Sequence, residues 1–483
     1  MSQPMTTLAQ VHAMLPDSQL VHITDQSAQS VLISCVGSDS RQIEAGELFV
    51  ALSGERFDAH DFLGEISTAD VGAALISNKE KCPKNIAAVY VKDTKKGLGE
   101  LAKAWRSQFS IPVVVVTGSN GKTTVKEMIA CIFQVAVGEE HTLVTQGNLN
   151  NDIGLPLSLL RMRSSDRLAV IELGMNHPGE TANLVAIAQP TIALINNAQR
   201  EHQEFMLTVE AVAKEHADVL RALPDNGIAV FPADSEFCGI WHQAAQGRQV
   251  IDFVLSTSNK LVKAAVTGHI LENGALDIQT EQGNIEVQLN TLGEHNIKNA
   301  LAATAVALGA QLSLGTIKQG LESFQPVKGR MQVKHLTAHC RLIDDSYNAN
   351  PDSVRAAIDA LKQAGNTAWL ILGDMGEVGD QGLAFHQELG AYAAEQGIAK
   401  LFVLGEQCQF AVQSFNQVRQ DRSLPSDAVH FLDIEHLLSG VSSALEDRAV
   451  GTQTPIDILV KGSRFMCMER VVQALLEEPK TCF

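Results

Sequence analysis

The run Gly118-Ser119-Asn120-Gly121-Lys122-Thr123-Thr124 carries the residue types of a polyphosphate-binding loop. It follows the apolar run Ile111-Pro112-Val113-Val114-Val115-Val116 and leads into an amphipathic pattern over 125–133. Strand, glycine-rich turn, Lys, Thr and helix in that order wrap backbone N–H groups around phosphate oxygens, because glycine lets the chain turn inward. The helix N-terminus adds partial positive charge. Lys122 has the reach for the outer phosphates, and the Thr123 hydroxyl is a Mg²⁺ ligand by type. Two residues separate the glycines, where the general loop has four.

Two further strand ends carry reactive groups. The run Leu168-Ala169-Val170-Ile171-Glu172-Leu173-Gly174 is an apolar strand ending in an acid. Ligands of doubly wound sheets sit at the carboxyl ends of strands, so Glu172 falls where a phosphate-loop enzyme keeps its metal carboxylate. The segment Asn196-Asn197-Ala198-Gln199-Arg200-Glu201-His202 follows the next apolar strand and puts His202 at the same edge. The amide-rich loop from Thr145 to Pro156 offers Asn148, Asn151 and Asp152. Such amides bind sugars and phosphates by paired hydrogen bonds, though alone the loop reads as an ordinary turn.

These groups need a sheet to hold them. Strands are expected at 113–117, 168–173, 191–196 and 227–231, with a helix over 208–223, a strand-rich stretch at 250–292 forming a small antiparallel side sheet, and a helix over 296–309. Alternation of strand and helix implies a mainly parallel sheet. Before it, residues 1–110 read as mixed α/β, with short strands at 48–52, 73–76 and 88–91 and a helix at 95–109. After it, from 329 onward, the alternation restarts: strands at 341–345, 368–373, 400–404, 429–432 and 457–461, helices at 352–364, 383–396, 409–416, 434–445 and 468–476. The fold class is therefore α/β in three domains, 1–110, 111–328 and 329–483, the last a Rossmann-like doubly wound unit without a G-x-G-x-x-G. The junction Gly329-Arg330 is the expected hinge.

Composition excludes several classes. Of 483 residues, 45% are hydrophobic and 19% charged, which is globular. A net charge of −18 argues against nucleic-acid or anionic-membrane binding. The cluster Lys79, Lys81 and Lys84 reads as a solvated loop. There is no signal-peptide pattern and no membrane-length apolar run. The eight cysteines form no C-x-x-C pair, so neither a zinc site nor a disulfide framework is expected, and a reduced cytoplasm fits.

Together the motifs resemble the Mur ligase superfamily of ATP-dependent amide ligases. The resemblance rests on the short phosphate loop from Thr117 to Thr124, Glu172 in Glu-Leu-Gly, His202, Gly293-Glu294-His295-Asn296-Ile297-Lys298-Asn299-Ala300 and Gly329-Arg330. A closer match within the superfamily comes from four stretches: Asp39-Ser40-Arg41 with Gly46 to Leu52 and Gly54 to Asp61; Asp344 to Pro351; Gly373-Asp374-Met375-Gly376-Glu377; and Lys461-Gly462-Ser463-Arg464. It implies a UDP-MurNAc-tripeptide and D-Ala-D-Ala as small-molecule substrates, ATP and Mg²⁺ as cofactors, and a monomer.

The resemblance also implies roles. Ser40 and Arg41 would belong to a UDP-binding face. Gly118, Ser119, Asn120, Gly121, Lys122, Thr123 and Thr124 would hold ATP phosphates. Thr123, Glu172 and His202 would surround magnesium, with Lys122, Glu172 and His202 as the catalytic set. Asn296 and Asn299 would contact adenine, and Arg330 and Asp345 the ribose and phosphate. Asn148, Asn151 and Asp152 would face the muramyl peptide, and Asn350, Ser463 and Arg464 would help place the dipeptide.

One departure stands out. The family commonly has a carboxylated lysine on the helix after His202, bridging a second magnesium. Here the helix reads Ala213-Lys214-Glu215-His216-Ala217-Asp218-Val219. Aligning on the acid puts His216 at the lysine position; Lys214 serves only with a two-residue shift onto another helix face. Lys214, His216 or neither remain open. Gln203-Glu204-Phe205-Met206 also lacks the Gly that the family often has near the Phe. Rival readings are a sibling ligase of the superfamily, a nucleotide-hydrolysing switch and a structural partner with a dead nucleotide site.

Overall fold

The computed structural model describes residues 4–54, 56–66, 71–256, 262–449 and 454–477. Glu55, part of one quoted stretch, and Cys482 lie outside these. Three main sheets build the chain. The central one has six parallel strands, in spatial order Gln249–Val250, Ile228–Val230, Ile192–Ile195, Val113–Thr117, Leu168–Glu172 and Thr142–Val144. Its middle strand explains the unbroken valines. Val113 and Val115 pack into one apolar cluster, Val114 and Val116 into another on the opposite face. A strand covered by helices on both sides has no solvent face, so alternation of polar and apolar residues disappears.

Four strands, Phe253–Leu255, Val266–Ile270, Leu276–Thr280 and Gly283–Val287, form the side sheet expected over 250–292. The expectation of an all-antiparallel sheet is corrected at one pair: Phe253–Leu255 runs parallel to Val266–Ile270.

The C-terminal sheet has six strands. Gln332–Thr337 is an antiparallel edge; the other five, Cys340–Asp345, Ile456–Lys461, Thr367–Gly373, Lys400–Leu404 and Ala428–Phe431, are parallel. The N-terminal sheet has five strands, one antiparallel pair among parallel ones. The single helix expected over 208–223 is instead two, Val209–His216 and Asp218–Arg221, meeting at Ala217. Gly329, with φ +73°, lies in the loop before the C-terminal edge strand. No helix of the described residues is long and apolar enough to cross a membrane.

Candidate functional site

The parallel strands Val113–Thr117, Leu168–Glu172 and Ile192–Ile195 deliver the phosphate-type loop, Glu172 and the 196–202 segment to one sheet edge. The loop's glycines are required by its geometry. Gly118 has φ +134° and a Cβ there would lie 3.0 Å from the Asn197 amide nitrogen. Gly121 has φ +78° and a Cβ there would lie 2.6 Å from Asn299 Oδ1. No side chain caps the helix Lys122–Val137, so its first N–H groups are left for a ligand.

A cavity of about 870 Å³ opens over the loop. One wall is central: Ser119 to Thr124, Asn150, Glu172, Asn196 to Gln203, Asn296 and Asn299. The facing wall is C-terminal: Arg330, Asp345, Tyr347 to Asp352, Glu377, Lys461, Ser463 and Arg464. The structure thus brings together nearly all the residues proposed for ATP and for the dipeptide. Gly118 sits just beneath, its carbonyl oxygen accepting from Lys122 Nζ at 2.5 Å. Ser40, Arg41, Asn148, Asn151 and Asp152 do not line this cavity. Arg41 pairs with Asp39, Asp152 with Lys95, and Asn151 Oδ1 accepts from the Gly154 N–H at 2.8 Å. From that loop it is Asn150 that enters the site.

Glu172 is buried, and Oε1 accepts from Thr123 Oγ1 at 3.2 Å and from Asn150 Nδ2 at 2.8 Å. Its other oxygen, Oε2, is buried without a hydrogen-bond partner. A buried carboxylate oxygen is costly to leave unpaired. Together with the Thr123 hydroxyl it makes an oxygen donor set, which suits a hard cation such as Mg²⁺. His202 has φ +45°, and its Nδ1 lies 2.7 Å from Glu377 Oε2. The His202 contact holds the Glu377 carboxyl below its ordinary range.

The amides proposed for adenine are committed within the protein. Asn196 Nδ2 donates to Asn299 Oδ1 at 2.8 Å, and Asn299 Nδ2 donates to Asn296 Oδ1 at 3.1 Å. Asn196 Nδ2 also reaches the Asn120 carbonyl at 2.8 Å, so this network braces the loop. Asn350 caps the helix Pro351–Gln363 and donates to Asn120 Oδ1 at 2.8 Å, tying the two walls together. The Ser463 hydroxyl accepts from Gly376 N–H and donates to the Ala349 carbonyl. The Arg330 guanidinium stacks 4.3 Å over Tyr347, with that of Arg464 5.7 Å from the same ring. Asp345 accepts from the buried Lys461 ammonium at 2.6 Å.

Lys214 is excluded from the interior. Its side chain is 58% exposed and pairs with Glu210 one turn back. His216 is fully buried, and Glu215 instead anchors the neighbouring helix by accepting from Gly179 and Thr181 N–H groups. Sequence reasoning gave neither Glu201 nor Lys461 a role, although both lie in stretches it quoted. Both stand just past or at the end of a parallel strand, which was the available signal. Asp374, His386 and Cys408 also converge, although no C-x-x-C pair marks them in the sequence. Asp374 Oδ1 accepts from Cys408 N–H, and His386 Nε2 accepts from Met375 N–H, so backbone already uses these atoms.

Comparison with known proteins follows the same division. Residues 116–307 match the profile of the Mur ligase middle domain, and residues 329–464 that of the Mur ligase, glutamate ligase domain. The UDP-N-acetylmuramoyl-tripeptide--D-alanyl-D-alanine ligase of Escherichia coli K12 is 38% identical over 468 residues, 96% of this chain and 99% of that one. A crystal structure of MurF from Acinetobacter baumannii superposes with a TM-score of 0.86 at 31% identity, covering 99% of each chain. MurF of Thermotoga maritima in complex with ADP shares the fold, with a TM-score of 0.78 at 24% identity over 92% of this chain and 97% of that one.

Proposed function

Because the chain belongs to the Mur ligase family, we infer its chemistry from relatives of nearly its full length and from the site described above: it is an ATP-dependent ligase that joins D-alanyl-D-alanine to UDP-N-acetylmuramoyl-tripeptide in peptidoglycan synthesis. The observation that carries this reading is one cavity in which a phosphate loop faces Arg330, Asn350 and Lys461 of the C-terminal region.

A carboxylate is a poor electrophile, so amide formation requires its activation. In the proposed mechanism the tripeptide's terminal carboxylate takes the γ-phosphoryl group of ATP, giving an acyl phosphate and ADP. The dipeptide amine attacks the acyl carbon, and inorganic phosphate leaves. Two anions must meet in the first step. Lys122 and the N–H groups of the first helical turn offset that repulsion and stabilise charge spread over the phosphoryl oxygens. Thr123 and Glu172 would hold Mg²⁺, which supplies further charge neutralisation when bound; His202 is proposed to complete that set. Asn296 and Asn299 are proposed to shape the adenine end, and Arg330 and Asp345 the ribose and phosphate. Segments 1–110, 111–328 and 329–483 are each proposed to bind one substrate, with Ser40, Arg41, Asn148, Asn151 and Asp152 toward the UDP-sugar peptide. Asn350, Ser463 and Arg464 are proposed to place the dipeptide. Holding the reactants in line supplies on the order of 7–11 kcal/mol of the barrier reduction. The protein is proposed to act as a cytoplasmic monomer.

The test is phosphate release measured with ATP, UDP-MurNAc-tripeptide and D-Ala-D-Ala, omitting each in turn. Release that requires both acceptors, with a pentapeptide product by mass, is expected. Release indifferent to the dipeptide would overturn the reading. Lys122→Ala is expected to abolish turnover; activity within about tenfold of wild type would remove the loop from the mechanism.

A further inference from the structure

Beneath the phosphate loop, a connected set of buried side chains has no part in the reaction outlined above. His216 closes the helix Val209–His216 and is fully buried. Its Nε2 is 3.0 Å from Glu201 Oε1, and its Nδ1 is 3.1 Å from Thr117 Oγ1. A carboxylate only accepts, so the Nε2–H donates to Glu201. Thr117 is the last residue of the strand that feeds the loop. Glu201 is itself 6% exposed, and its Oε2 lies 3.5 Å from Lys122 Nζ. Burial alone would push its carboxyl pKa up, but Lys122 and His216 hold it well below the carboxylate range.

The path Thr117–His216–Glu201–Lys122 therefore runs from the sheet to the ammonium. Lysine is a flexible stem with a point charge, and ordering it costs rotamer entropy. Two of its contacts, the carbonyls of Gly118 and Ser119, belong to the loop itself. Glu201 is the contact from outside the loop, and His216 fixes that carboxylate from a helix packed against the sheet.

We propose that His216 is a positioning residue for the reaction: it locks Glu201 as the internal counter-ion that presets Lys122 for the phosphates. This rests on the reading that Lys122 binds ATP. The geometry makes the proposal selective between two substitutions of similar polarity. The Gln amide nitrogen reaches the place of the His Nε2, so His216→Gln keeps the hydrogen bond to Glu201. The Asn amide reaches only as far as the Nδ1 side, so His216→Asn loses it.

The experiment uses the full chain and four variants: Glu201→Gln, His216→Gln, His216→Asn and the double variant Glu201→Gln/His216→Asn. ADP affinity by equilibrium titration is read beside kcat, the three substrate KM values and the thermal midpoint. Glu201→Gln and His216→Asn are each expected to lower kcat and ADP affinity about tenfold or more, while His216→Gln stays within about threefold. The KM values for the UDP-sugar peptide and for the dipeptide stay unchanged. The double variant is no worse than the weaker single one, because both act through one path. Equal damage from Gln and Asn, or losses that add, would overturn the proposal. Should His216→Asn fail to fold, the nearly isosteric Glu201→Gln carries the test alone, and its wild-type behaviour would overturn the proposal equally. Loss of ligation in wild type with normal ADP binding would sink the proposed function instead, and the ADP affinities would still decide the role of His216.

Discussion

The central sheet meets its two neighbours through seams of opposite chemistry. On the N-terminal side the seam is apolar and continuous. Leu98, Leu101 and Trp105 of the helix Thr94–Arg106 share one core cluster with Leu155, Leu159 and Leu184 of the central region. Its polar groups are spent on backbone: Trp105 Nε1 donates to the Met162 carbonyl at 3.1 Å, and Arg106 Nη2 donates to the Gln189 carbonyl at 3.0 Å. On the C-terminal side the buried residues of the two core clusters all belong to that lobe, and Leu292 of the central region packs against one of them. Most of what crosses there is polar: Arg200 to Asp352 and Glu388, Asn120 to Asn350, and His202 to Glu377. Burial of apolar area is non-directional and hard to undo, whereas a set of hydrogen bonds can be exchanged for water. We propose from this contrast that the first seam serves stability and the second substrate-gated closure.

The largest expected effect comes from breaking the apolar seam. Trp105→Ala removes a large buried ring and should cost about 3–5 kcal/mol of stability by denaturant unfolding. The rate per folded molecule should hardly change. A large loss of kcat with little loss of stability would mean that this seam also moves during turnover.

Breaking the polar seam should give the reverse pattern. Arg200 reaches Asp352 Oδ1 at 2.6 Å and Glu388 Oε2 at 2.7 Å, both across the junction. Arg200→Ala should weaken closure by about 1–3 kcal/mol, lowering the ligation rate roughly tenfold, with little change in the unfolding midpoint. Small-angle scattering with ADP present checks it, since the variant should be more extended. Unchanged scattering and rate would leave the polar seam without a function.

How far these seams could be read in the sequence differs in the same way. The valines of the central strand, the acid at 172 and the helix after Lys122 were legible because burial on both faces leaves an unmistakable pattern. The helix Gly154–Leu160 was not, since its Gly and Pro156 read as a turn, while Leu155, Leu159 and Leu160 bury it in the core shared with the N-terminal lobe. The edge strand Gln332–Thr337 escaped because its residues are mostly half-exposed and polar. In the site, motif residues were legible, but their partners were not. Glu201 and Lys461 matter through contacts with residues distant in sequence, Lys122 and Asp345, and no local spacing encodes those. Which of Lys214 and His216 faces the interior required the helix to be oriented, which the Glu210–Lys214 surface pair and the buried imidazole together do.

Acid should separate the seams without any mutation. Glu388 is held below its ordinary carboxyl range, chiefly by Arg200. A carboxyl depressed in the closed form favours closure fully above its ordinary pKa of about 4.3, and that contribution is lost as pH falls through the lowered value. The Glu388 contribution to closure should thus be constant from pH 7 to about 5 and weaken below about 4.3. In Glu388→Gln the acid-dependent part should shrink, which scattering across that range would show. An identical profile in the variant would place the titration elsewhere.

The smallest expected effect lies at the rim of the apolar seam. Lys95, on the N-terminal helix, contacts Asp152 of the central loop, and both side chains are about half exposed. An exposed pair of this kind contributes about 0–1 kcal/mol, because solvent screens it and two side chains must be ordered. Lys95→Ala should therefore leave unfolding within about 0.5 kcal/mol of wild type. The same substitution frees the Asp152 carboxylate, which is proposed to face the muramyl peptide. If Asp152 meets that substrate, Asp152→Asn should raise the KM for the UDP-sugar peptide several-fold while Lys95→Ala does not. Steady-state kinetics on the two variants decides this. Equal and negligible changes would leave Asp152 as a rim residue of a seam held by apolar packing, and would move the search for the peptide's contacts to Asn150 and the cavity it lines.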